Sequence, residues 1–111
     1  MKTVAMVLYD DVLALDVTGP MEVFSMANRY LPPEQHYRLL AVAAKPEAVR
    51  ASSGPRMSAD LPLEALLAGV DLLLVPGGPG AYNGRNEALT AGLPAAARAA
   101  KRYGAVCTGA F

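Results

Sequence analysis

The chain has 111 residues, 53% of them apolar and 18% charged, with ten basic side chains balanced by ten acidic ones. That size holds one domain with a buried core, and the composition lies far from disorder. Charge is scattered, so this segment is not expected to grip a nucleic-acid backbone by itself.

The start imitates a signal peptide only faintly, because Asp10, Asp11 and Asp16 interrupt it and no small-residue cleavage site follows. No stretch nears the ~18 apolar residues of a membrane span. A cytoplasmic protein without membrane partners is expected, and a single cysteine allows no internal disulfide. Residues 3–9 are a continuous apolar run, the mark of a strand buried on both faces. Asp16 to Tyr30 carries Met21, Phe24, Ala27 and Tyr30 at helical spacing, with Pro20 near the helix start and Leu31-Pro32-Pro33 stopping it. A second strand is expected over 36–43. His36, which opens it, reads as a surface or structural residue, since a metal site would need partners the chain lacks.

Residues 48–60 are more polar and turn at Ser52-Ser53-Gly54-Pro55, as a small hairpin would. Leu63 to Leu67 fits one or two helical turns. Val70 to Val75 is another buried strand, ended by Pro76-Gly77-Gly78-Pro79-Gly80. Asn86 to Tyr103 reads as helix interrupted at Gly92 and Pro94, either two short helices or one kinked helix. Arg98, Lys101 and Arg102 then complement its dipole. Gly104 to Val106 is the last strand.

Strands alternating with helices imply βαβ units, a parallel sheet and ligand sites beyond the carboxyl ends of the strands. Asp16, Gly77-Gly78 and Cys107 each follow a strand, so positions distant in sequence can converge there. Cys107 lies between a strand and Gly109, as a strained strand-to-helix turn exposing a nucleophile requires. A free thiol is only ~3% ionised at neutral pH, and the N–H groups of a following helix would favour its thiolate. The plainer alternative is a small buried apolar residue. Asp16 either caps the helix or sets a carboxyl beside Cys107, where the pair would share one proton. Gly77-Gly78 is either a turn or a nest of N–H groups for an oxyanion or carboxylate, and its spacing fits no nucleotide loop.

Three segments, in order and at matching spacing, resemble the ThiJ/PfpI superfamily, the flavodoxin-like relatives of class I glutamine amidotransferases. They are Leu15-Asp16-Val17-Thr18-Gly19-Pro20-Met21-Glu22-Val23-Phe24, then Asp71-Leu72-Leu73-Leu74-Val75-Pro76-Gly77-Gly78-Pro79-Gly80, then Val106-Cys107-Thr108-Gly109-Ala110-Phe111. The resemblance implies an α/β, flavodoxin-like three-layer sandwich with a mainly parallel central sheet, truncated after the nucleophile-elbow strand. Residues 1–111 would then be the N-terminal portion of one domain. It also implies that Cys107 is the reactive residue, that Asp16 hydrogen-bonds it, and that backbone groups at Gly77, Gly78 and Thr108 polarise a ligand. A third catalytic position would follow Phe111, and neither cofactor nor metal is implied.

Ser25-Met26-Ala27-Asn28-Arg29, Ser52-Ser53-Gly54 and the elbow look most like the N-terminal domain of AraC-type transcriptional regulators. That likeness implies a homodimeric domain that senses an unknown small molecule and reaches DNA only through a C-terminal helix-turn-helix domain outside this chain. The stretch Leu15-Asp16-Val17-Thr18-Gly19-Pro20 is shared with isonitrile hydratase-like enzymes. There the cysteine attacks the isonitrile carbon and the aspartate assists water addition to give an N-substituted formamide. Regulator and enzyme both stay open on the sequence.

Overall fold

The structure is a computed structural model and describes residues 1–44, 48–81 and 86–110. In chain order it runs β1 (Lys2–Leu8), α1 (Ala14–Asn28), β2 (Tyr37–Ala43), β3 (Val49–Arg50), β4 (Arg56–Met57), β5 (Leu61–Pro62), β6 (Val70–Val75), α2 (Glu87–Ala99) and β7 (Ala100–Ala105). Short 3₁₀ segments lie at Pro33–Gln35, Leu63–Ala68, Pro79–Ala81 and Cys107–Ala110. Five parallel strands form the sheet in the order β5-β2-β1-β6-β7. β1 is central, paired with β2 on one side and β6 on the other. Its residues from Val4 to Leu8 are therefore buried on both faces, which is why the run shows no alternation. This is the expected α/β flavodoxin-like architecture.

α1 covers β1 and β2. Its Phe24 ring meets Tyr37 edge-on at 4.9 Å, and the Asn28 amide clasps the Tyr37 backbone, accepting its N–H at 2.7 Å and donating to its carbonyl at 3.0 Å. The other side of α1 exposes Leu15, Val23 and Met26 beside Glu22, with Tyr30 just beyond the helix. α2 covers the opposite face, burying Leu89 and Ala96 beside Leu63 and Leu66 of the preceding 3₁₀ turn. His36 is structural, its Nε2 lying 2.9 Å from the Leu31 carbonyl. β3 and β4 pair antiparallel around the expected turn at Ser52-Ser53-Gly54-Pro55. Among the described residues no helix is long and apolar enough to cross a membrane.

Two boundaries differ from the sequence-based expectation. α1 starts at Ala14, which puts Pro20 inside the helix rather than in its first turn. The start is fixed from outside the helix: the Leu13 N–H donates to the Gly77 carbonyl at 2.8 Å, and the Asp16 N–H closes onto Leu13. α2 is one helix through Pro94 and stops at Ala99, and β7 begins at Ala100 instead of Gly104. Pairing of Val70 with Ala100 extends the ladder along all of β6 and outweighs the local helical preference of this segment. Lys101 and Arg102 therefore lie in a strand, not at a helix end. Lys101 Nζ sits 3.3 Å from Asp71 Oδ1.

Candidate functional site

The chain leaves β1 toward β2 on one side and returns to β6 on the other, so the strand order reverses between β1 and β6. A crevice opens at such a point, beyond the carboxyl ends of the strands. Three loops meet there: Tyr9 to Leu13 after β1, Pro76 to Gly80 after β6, and the elbow after β7.

At the elbow, Cys107 adopts a φ of 53°, a left-handed conformation that non-glycine residues rarely take. Its thiol is free and exposed, so the buried-apolar alternative does not hold. The turn is held by the Val106 N–H on the Val75 carbonyl at 2.9 Å and the Gly109 N–H on the Val106 carbonyl at 3.0 Å. Position 109 must be glycine, because any Cβ there would run into the Val75 carbonyl.

Asp16 does not cap its helix. Leu13 holds the cap position and makes no side-chain capping bond. Asp16 instead reaches across the crevice, where its Oδ2 accepts the Gly77 N–H at 3.2 Å. The Gly78 N–H donates to Thr108 Oγ1 at 3.0 Å. Both diglycine N–H groups thus face side chains of the site itself. Gly77 lies between Asp16 and Thr108; a Cβ at this position would stand 2.8 Å from Asp16 Oδ2 and 2.9 Å from the Thr108 nitrogen. Gly78 has a φ of 141° and packs against the backbone of Asp11 to Leu13. Asp11 itself is left-handed, with a φ of 64°.

One further residue belongs to this cluster. Tyr9, read from sequence only as the end of an apolar strand, is buried and donates its phenol to the Pro76 carbonyl at 2.6 Å. Burial first, then the neighbouring charges of Asp16 and Cys107, push its ionisation up to about 12. The phenol is thus a neutral donor at physiological pH, close to both residues that the sequence singled out. The sequence signal for it was slight: a polar-tipped aromatic ending an otherwise aliphatic strand. A pocket of about 300 Å³ adjoins the cluster on the α2 side, lined by Tyr9, Val75, Leu89, Leu93, Ala97 and Gly109 among others.

The structure therefore brings Asp16, Gly77, Gly78, Cys107 and Thr108 to one edge of the sheet. Phe111, the last residue of the elbow segment, lies outside the described residues.

Comparisons with known proteins agree with this architecture. An uncharacterized protein of Streptomyces lividans from the cpoL 5′ region is 40% identical over 111 residues, covering 97% of this chain and 74% of its own length. A ThiJ/PfpI family protein from Pseudomonas syringae superposes with a TM-score of 0.73 at 20% identity, over 98% of this chain and 43% of its own. DJ-1 of Toxoplasma gondii, in oxidized form, gives a TM-score of 0.73 at 20% identity, over 98% of this chain and 57% of its own. A two-domain protein from Anabaena variabilis, with DJ-1/ThiJ/PfpI-like and ferritin-like domains, gives 0.75 at 21% identity, over 98% of this chain and 30% of its own. The chain thus spans about half the length, or less, of these solved structures. The DJ-1/PfpI family model matches residues 2–111, and the chain belongs to the DJ-1/PfpI family.

Proposed function

We propose that this chain is the front part of a ligand-sensing, dimerising domain of a cytoplasmic AraC-type transcriptional regulator, with Cys107 at the centre of the ligand pocket. The observation that carries the choice of sensor over enzyme is the placement of the two diglycine N–H groups. They already donate to Asp16 and Thr108. Acyl-transfer turnover that used these N–H groups as an oxyanion hole would have to displace both bonds, whereas capture of a ligand by the exposed thiol would not. Bound ligand also has a short route outward. The β3–β4 hairpin is bonded to the loop after β1, through the Asp11 N–H on Arg50 at 2.9 Å and the Ser52 N–H on Val12 at 2.8 Å.

DNA would be contacted by a helix-turn-helix domain outside residues 1–111; the Anabaena variabilis protein is an instance of this fold joined to a second domain. Dimerisation is proposed through the outer face of α1. A helix with apolar side chains on both sides is a helix covered on both sides. In a three-layer sandwich the face turned away from the sheet is free for a second copy. Gly19 lies on that face with open space around it, allowing close approach.

The test is a DNA-binding assay on the full-length protein with candidate ligands, in wild type, Cys107→Ser and Asp16→Ala. A regulator loses its ligand-dependent change in DNA affinity in both variants. Wild-type turnover of isonitriles to formamides that vanishes in Cys107→Ser would instead establish the isonitrile hydratase type of chemistry. An intact native mass about three times the 11.6 kDa of this chain leaves room for the DNA-binding domain.

A further inference from the structure

The peptide unit between Pro76 and Gly77 is gripped at both ends. Its carbonyl accepts the Tyr9 hydroxyl at 2.6 Å, and its N–H donates to Asp16 Oδ2 at 3.2 Å. A peptide is a conjugated unit, so a donor on the oxygen draws charge through the C–N bond and makes the N–H a better donor. From this chain of contacts we infer that Tyr9 is a positioning residue for Asp16. Its phenol fixes the plane of the Pro76–Gly77 peptide and strengthens the N–H that holds the Asp16 carboxylate beside the elbow.

Several features converge on this role. Tyr9 is 3% exposed, so the hydroxyl cannot trade the Pro76 carbonyl for bulk water. Its ring fits because position 80 is glycine; a Cβ there would stand 2.9 Å from two ring carbons of Tyr9. The next peptide is fixed as well, since the Gly77 carbonyl accepts the Leu13 N–H at 2.8 Å and the Gly78 N–H is on Thr108. Tyr9 therefore acts at one end of a rigid strip of backbone whose other contacts are Asp16 and the residue after Cys107. Among the described residues, the titratable groups gathered at this edge are Tyr9, Asp16 and Cys107, with Asp10 and Asp11 on the loop after β1.

The inference rests on reading Asp16 and Cys107 as the reactive pair, yet its test does not use activity. In the full-length protein, the Asp16 carboxyl carbon is followed by NMR through a pH titration. Tyr9→Phe keeps the ring, removes the donor, and moves the Asp16 midpoint upward from wild type. Replacing Tyr9 with 3-fluorotyrosine, a more acidic donor, lowers the midpoint instead. Opposite displacements separate a transmitted hydrogen bond from general loosening, which would move both proteins the same way. If Tyr9→Phe does not fold, the fluorotyrosine protein alone decides the sign. An Asp16 midpoint unmoved in folded protein, or moved upward by both replacements, overturns the assignment. Alkylation of Cys107 by iodoacetamide is measured alongside. An inert thiol in a protein whose Asp16 still follows Tyr9 would remove the reactive pair and leave the positioning role standing.

Discussion

Tyr9 makes the protein's stability depend on pH at the alkaline end of the scale. An unfolded chain ionises this phenol near its ordinary value of 10, whereas the folded protein holds the proton up to about 12. The neutral form is thus favoured by folding. Its contribution is complete below pH 10 and is lost as pH rises toward 12. The gap converts to just under 3 kcal/mol at ~1.4 kcal/mol per pH unit, of which about 2 kcal/mol is lost by pH 12, where the folded phenol is half ionised. Denaturant unfolding of the full-length protein, repeated from pH 8 to pH 12, measures this directly. Wild type should lose about 2 kcal/mol more than Tyr9→Phe across the window. Tyrosinate absorbance should show one phenol that ionises only as pH nears 12 and is missing in Tyr9→Phe. Equal losses in the two proteins, or all phenols ionising together near 10, would refute the account of a desolvated hydroxyl beside two acidic groups.

At the opposite edge of the sheet, the Thr3 N–H and then the Lys101 ammonium hold the Asp71 carboxyl below its ordinary range. Its stabilisation is present above the ordinary carboxylate value and lost as pH falls through the lowered one, so Asp71→Asn should flatten the acid limb of a Tm-versus-pH curve. Gly77→Ala puts a methyl within 2.8 Å of Asp16 Oδ2 and should cost about 2 kcal/mol by denaturant melting. It should also displace the Asp16 carboxyl resonance. Val23→Glu, on the exposed face of α1, should give monomers by analytical ultracentrifugation, with monomer stability changed by no more than about 0.5 kcal/mol. Dimers that persist in Val23→Glu would move the interface elsewhere.

The buried strands were legible because β1 and β6 sit inside the sheet: burial on both faces leaves an apolar run over β1, and only Asp71 interrupts the aliphatic residues of β6. The hairpin was legible from Ser52-Ser53-Gly54-Pro55, where turn chemistry is local. The limits of α1 and β7 were not, because both are set by partners far away in sequence: Gly77 for the start of the helix and β6 for the strand. At the site, Cys107 and the glycines announced themselves through backbone needs that few residues can meet. Asp16 was visible as a candidate neighbour of Cys107 but not as the acceptor of the Gly77 N–H, since that bond joins loops at the ends of β1 and β6 that are distant in sequence. Tyr9 was hidden in an apolar run, where only the phenol oxygen marks it, and that oxygen matters only once Pro76 is beside it.

The left-handed elbow also sets an exposed thiol against the protein's durability. Holding a cysteine at a φ of 53° costs roughly 1 kcal/mol that glycine at the same position would not incur. Cys107→Gly should therefore melt later than wild type while losing the thiol. A laboratory search for heat resistance alone would drift toward glycine at 107 and erase the thiol without disturbing the fold. Retention of cysteine there is thus a readout of use: in a population screened for ligand response, and not in one screened for thermal survival, the strained residue should persist.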